Sequence, residues 1–151
     1  MTAGAITGVK TNRARRDGAA LATAATSLVG CRFRLHGRDP ATGLDCIGVL
    51  AAALTAIGHE AHFPTGYRLR TNRFEQLPNL AAVHGFDPAG GALLPGDILF
   101  TRPGPGQLHL LIAAARADAC IEAHAGLGRV VLTAGLPADP VLYHWRLRAW
   151  K

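Results

Sequence analysis

Three thiols and seven imidazoles are the side chains of this 151-residue chain with the widest chemical reach. The thiols are Cys31, Cys46 and Cys120, none in a Cys-x-x-Cys pair, so neither a disulfide framework nor a structural zinc site is supported. A cysteine becomes a nucleophile when its thiolate is stabilised, and a helix start does that through its free N–H groups and positive dipole end. Cys46 occupies such a place. It follows a Gly-bearing loop and Asp45, a good capping residue, and opens a segment in which Val49, Leu50, Ala53, Leu54 and Ile57 recur at helical spacing. The thiol falls on that stripe and points toward the protein body. Gly48 leaves room near the sulfur for a substrate or another stretch of backbone. Cys31, in a loop, and Cys120, in a candidate strand, read as structural thiols; a small buried cysteine is the bland alternative for Cys46 as well.

A cysteine nucleophile needs a base, and the base needs a group to orient its second ring nitrogen. Along the candidate strand 108–114, His109, Leu111 and Ala113 share a face; along 119–124, Cys120, Glu122 and His124 do. A hairpin with its tip at Arg116 and Ala117, or the longer Ala115 to Asp118, pairs Ala113 with Cys120, Leu111 with Glu122, and His109 with His124. The two imidazoles then become cross-strand neighbours. A three-residue tip without a bulge would put them on opposite faces. Two surface histidines in a hairpin is the competing explanation, and Asp97 and Glu122 are alternative orienting groups. His36 lies in the loop before Cys46, within reach of a substrate; the remaining histidines read as solvated or structural. No tight histidine spacing supports a metal site, and no cofactor is expected.

These residues must be held by a framework, and the apolar pattern supplies one. Residues 14–29 read as a helix with Leu21, Ala24, Ala25 and Leu28 inward, stopped by Gly30. The stretch from Cys31 to Gly43 reads as an irregular loop, Asp45 to Ile57 as a helix, 59–72 as loop, and Phe74 to Val83 as a short helix containing Pro78. Strand candidates follow at Asp97 to Phe100, Leu108 to Ala114, Ala119 to His124, Arg129 to Thr133 and Val141 to Leu147. Helices first and strands after predict an α+β fold: N-terminal helices on a C-terminal antiparallel sheet, one domain over 13–151 and a loose tail over 1–12.

Composition narrows the function classes. With 49% hydrophobic and 17% charged residues the chain is neither disordered nor a coiled coil. The net charge of +6 suits an anionic partner. The arginines are dispersed apart from Arg13, Arg15 and Arg16, and only two Trp, two Tyr and five Phe are available to stack on bases, so nucleic-acid binding is not favoured. No segment is apolar and long enough to span a bilayer. The run Leu28-Val29-Gly30-Cys31 looks like a lipoprotein cleavage box, but Asp17 and the weakly apolar Ala/Thr stretch before it favour a first helix of the fold, hence no export signal.

The segment Arg32-Phe33-Arg34-Leu35-His36-Gly37, followed by Gly43-Leu44-Asp45-Cys46-Ile47-Gly48-Val49-Leu50, resembles the nucleophile region of NlpC-type peptidases. Pro95-Gly96-Asp97-Ile98-Leu99-Phe100 resembles the family's strand lead-in, His109-Leu110-Leu111-Ile112 its base motif, and Glu122-Ala123-His124-Ala125 its third-residue motif, all in the expected order over roughly residues 20–133. The resemblance implies a papain-like fold, a Cys46–His109–His124 triad, and hydrolysis of peptidoglycan stem peptides, often between D-γ-glutamate and a diamino acid. Asp45, Phe33 and His36 fall where the family contacts substrate, although Asp45 also suits a helix cap. The arginine-containing run before Cys46 is most similar to members carried by phage tails and gene transfer agents, which implies tail proteins as partners. Such a chain is made in the bacterial cytoplasm and acts in the periplasm or wall. Two positions depart from the pattern: Phe33 stands where the family usually has tyrosine, and Ile47 where it usually has serine. A tail-tip component without useful turnover, or a thiol acyltransferase or amidase of small molecules, are the rival expectations.

Overall fold

The computed structural model describes residues 17–63 and 77–148, so the expected tail over 1–12 lies outside the described residues. Helix α1 occupies 17–26, buries Leu21, Ala22 and Ala25, and gives way to a turn that ends at Gly30, φ +96°. A short hairpin follows, β1 (Arg38–Asp39) and β2 (Gly43–Leu44), inside the stretch expected to be loop. Helix α2 (Cys46–Ala56) comes next, then α3 (Leu77–Val83), β3 (Phe86–Pro88), β4 (Ile98–Thr101), β5 (His109–Ala113), β6 (Ala119–His124), β7 (Arg129–Ala134) and β8 (Val141–Leu147). The expected bounds hold for β6 and β8 and are within one residue for α2, β4, β5 and β7. The strand β3 was not expected, being three residues long with a proline at its end.

Strands β4 to β7 form an antiparallel meander, and β8 returns to the far side of β4 with β3 beyond it, giving the order β3-β8-β4-β5-β6-β7. The α2 residues Ile47, Leu50 and Leu54 join Ile98, Phe100, Leu110, Ile112, Ile121, Val130 and Trp145 in one buried cluster. Each such side chain contributes roughly 1.5–3 kcal/mol by leaving water, so α2 is fixed to the sheet along most of its length. Trp145 meets Phe100 edge-on at 5.4 Å between centroids and stacks on Tyr143 at 4.8 Å.

The β5–β6 hairpin takes the expected even register, with Ile112 opposite Ile121 and Ala113 opposite Cys120. Ala114 N–H donates to Ala119 O at 2.9 Å and closes the longer, four-residue tip, where Asp118 has φ +56°. Pairing runs no further toward His109. At the other sheet edge, segment 30–34 lies between β7 and β2. Val130 N–H donates to Cys31 O and Phe33 N–H to Gly128 O on one side, while Leu44 N–H donates to Arg32 O and Arg34 N–H to Leu44 O on the other. The stretch before Cys46 is thus extended backbone that ties the small hairpin to the main sheet.

Candidate active site

The start of α2 is built around Asp45, which is 2% exposed and extended at φ −94°, ψ −173°. Its Oδ1 accepts from Gly48 N–H at 2.8 Å, satisfying one of the free donors of the first turn. The same carboxylate accepts from Arg38 Nη1 at 2.8 Å and from His36 N–H at 2.9 Å. Asp45 therefore caps the helix and anchors the loop before it. A Cβ at Gly48 would stand 2.1 Å from Gly37 O, so the space beside the sulfur admits the protein's own backbone and requires glycine.

Cys46, the first residue of α2, is 2% exposed. The His109 imidazole is near enough to the Cys46 thiol for the two to interact electrostatically. Burial by itself would lower the pKa of His109, but the interactions with Cys46 and with Glu122 outweigh it and raise it to about 9. His109 Nε2 lies 3.7 Å from Glu122 Oε2, an ion-pair distance rather than a direct hydrogen bond. The same interaction with His109 lowers the Glu122 pKa against the opposing effect of burial. Cys31 is half-buried, and burial together with the charge of Glu122 pushes Cys120 up to about 11. Of the three thiols, one faces an imidazole.

His124 was expected as the group that orients His109. Its Nδ1 accepts from Leu127 N–H at 3.0 Å, so its ring serves the β6–β7 turn, and the group that reaches His109 is Glu122. The hairpin register is the expected one, but the two strands stop pairing before His109, which leaves side-chain direction to decide the contact. Asp97, the other alternative orienter, is engaged elsewhere, as described below.

No family model matches the sequence, and no curated protein matches it. Among solved structures, NlpC1 from Trichomonas vaginalis superposes with a TM-score of 0.64 at 22% identity, over 89% of this chain and 45% of that one. NlpC2 from the same organism gives 0.65 at 21% identity, over 89% and 47%. The NlpC/p60 domain of peptidoglycan hydrolase SagA gives 0.53 at 24% identity, over 78% and 88%. The fold is that of an NlpC/p60 domain. The chain spans about half the length of the two Trichomonas proteins, and the expected papain-like α+β architecture is the one observed.

Within this NlpC/p60 fold, Phe33 is half-buried and packs against the core, bridging Leu44 through its backbone. Ile47 is 4% exposed and belongs to the buried cluster, so the missing serine hydroxyl is replaced by core packing. His36 is exposed, with φ +62° and its N–H given to Asp45. Among the described residues no group of three or more His, Cys, Asp or Glu is arranged to hold a metal ion.

Two polar clusters were not foreseen. Asp97, wholly buried, receives His144 Nε2 at 2.7 Å, Arg146 Nε and Nη2 each at 2.8 Å, and Leu94 N–H at 2.9 Å. Burial opposes its charge, yet these partners keep its pKa below the ordinary aspartate value. The sequence signal was His144 and Arg146 at alternate positions of one strand. His84, 6% exposed, bonds Leu80 O through Nδ1 and accepts His62 N–H at Nε2, with Phe63 stacked on it at 4.0 Å.

Proposed function

We propose that this chain is a cysteine peptidase that hydrolyses amide bonds in bacterial peptidoglycan stem peptides, with Cys46 as nucleophile, His109 as acid–base and Glu122 as the group that orients His109. The observation that carries this is the thiol at the mouth of α2 interacting with an imidazole whose pKa is raised to about 9. An imidazole of that basicity is a strong acceptor for the thiol proton. The sulfur attacks the scissile carbonyl, and the Cys46 N–H at the helix start donates to the oxyanion. The imidazolium then protonates the leaving amine. Water, deprotonated by His109, releases the acyl group and restores the thiol. The likeness of the fold to a peptidoglycan hydrolase domain supports the substrate class.

The finer assignment is to the bond between D-γ-glutamate and a diamino acid, in a protein carried by a phage tail or gene transfer agent that opens the wall during DNA delivery. Its support is the ordered set of motifs around Cys46, His109 and Glu122. Finding the chain in purified particles tests the second half of that assignment; its absence from them sinks it.

Digesting purified muropeptides and weighing the products tests the whole. The protein should release amine-terminated fragments, and Cys46→Ala should abolish the release while its circular dichroism stays unchanged; cleavage by that variant refutes the nucleophile. The 2% exposure of Cys46 favours one second reading, a tail-tip component that keeps the fold without useful turnover. Iodoacetamide separates the two. A catalytic Cys46 is alkylated well below pH 8, whereas an inert one resists.

A further inference from the structure

The arginine surplus has a location. Arg32 and Arg129 are an antiparallel pair in which the flanking residues, rather than the pair itself, exchange the hydrogen bonds. Pairs of this kind are the closer ones, with Cα atoms about 4.5 Å apart and both side chains on one face. Arg34, two positions along the same extended segment, projects to that face as well. Arg32 and Arg34 also line a groove of about 580 Å³ with Pro40, Ala41 and Thr42, and Arg129 stands outside its lining.

Like charges directly opposite one another destabilise a sheet. Among the described residues no carboxylate lies within ion-pair distance of Arg32, Arg34 or Arg129. The acid nearest in the chain, Asp39, accepts the Ala41 N–H at its Oδ1 in the turn. A repulsive pair left without a counter-charge is what an anion-binding surface looks like before the anion arrives.

Register connects this surface to Glu122. Arg129 is the Cα partner of His124, and Val131 that of Glu122, so Glu122, His124, Arg129 and Arg32 share one face of the sheet.

We propose that Arg32, Arg129 and Arg34 form an anion subsite that receives a carboxylate of the wall peptide cut at Cys46. The proposal rests on the peptidase reading and names the part of its substrate that the arginines hold.

The test uses the Cys46→Ala protein, a fluorescent stem tetrapeptide with free carboxylates, and the same peptide amidated. Arg32→Gln with Arg129→Gln should weaken binding of the acidic peptide by about tenfold or more and flatten its salt dependence, with the amidated peptide within about twofold. Equal loss for both peptides, or none for either, overturns the subsite. Because the replaced pair is repulsive, the melting temperature should hold or rise; Arg34→Gln, which breaks no such pair, should give a smaller loss in the same direction, and no loss counts against the subsite. If neither peptide binds the Cys46→Ala protein, the substrate reading fails. Oligoglutamate then probes the arginines alone: binding that depends on Arg32 and Arg129 keeps an anion site, and no binding removes it.

Discussion

Two carboxylate–histidine pairs share one face of this sheet. Leu99 is the Cα partner of both Leu111 and His144, which puts Asp97, His144 and Arg146 on the same side as His109. The first pair is closed: Asp97 is wholly buried, 2.7 Å from His144 Nε2, with the Arg146 guanidinium across both its oxygens. The second is open: Glu122 stands 3.7 Å from His109, with side chains 14% and 24% exposed, and the other partner of His109 is a thiol. A carboxylate held by a guanidinium is a fixed counter-charge that joins β8 to the entry of β4. A carboxylate that faces an imidazole sets how tightly the imidazole holds a proton, and that proton is exchangeable with the neighbouring sulfur. The same residue types make a lock in one place and an acid–base device in the other, and the arginine accounts for the difference.

The strongest way to break this contrast is to remove the charge of Glu122. In Glu122→Gln the group that helps raise His109 is lost, so the alkaline limb of kcat/KM, expected near pH 9 for the unmodified protein, should move toward acid pH. The rate should fall about 10- to 100-fold, since orientation and proton affinity are both impaired while thiol and imidazole remain. Stability follows the same sign. A histidine whose pKa is raised on folding stabilises fully below its unfolded value of about 6.5 and loses that contribution as pH rises through about 9. Urea melts of the variant should show a smaller loss that is complete at lower pH. A limb that stays at pH 9 would mean that Glu122 does not act on His109.

How much of this could be read in the sequence differs between elements for physical reasons. Helix α2 was legible because cap, apolar stripe and stop signal agree, and β6 and β8 because Gly- and Pro-bearing turns bound them. The hairpin register was legible only up to the parity of its tip: any even tip preserves the faces, and an odd one would not. The partner of His109 was not. Glu122 and His124 lie on one face of β6, and the contacts that distinguish them, Glu122 with His109 and His124 Nδ1 accepting the Leu127 N–H, depend on side-chain direction. The extended segment 30–34 was hidden for a different reason. Its arginines and glycines look like loop, and its order comes from pairing with β7 and β2, contacts distant in sequence. Asp97 was visible as a titratable residue, but its partners lie 47 and 49 positions away on β8.

The closed pair offers a smaller effect of another kind. Asp97→Asn leaves Arg146 and His144 without their carboxylate; because both are partly exposed, the cost should be about 1–3 kcal/mol in urea melts at pH 7. A carboxylate whose pKa is lowered on folding contributes above its unfolded value of about 3.9 and loses that contribution as pH falls below it, so the variant should show a shallower acid limb. Its catalytic pH profile should not move, and an alkaline limb displaced from about 9 would mean that the two pairs are coupled. The smallest expected effect decides between the two candidates for the third position. His124→Ala removes an acceptor from an exposed turn, which costs within about 1 kcal/mol. Glu122 keeps its place beside His109, so kcat should stay within about threefold and the alkaline limb near pH 9. A hundredfold fall with a displaced limb would return the orienting role to His124, and the open pair would then be an imidazole pair, with Glu122 as its neighbour.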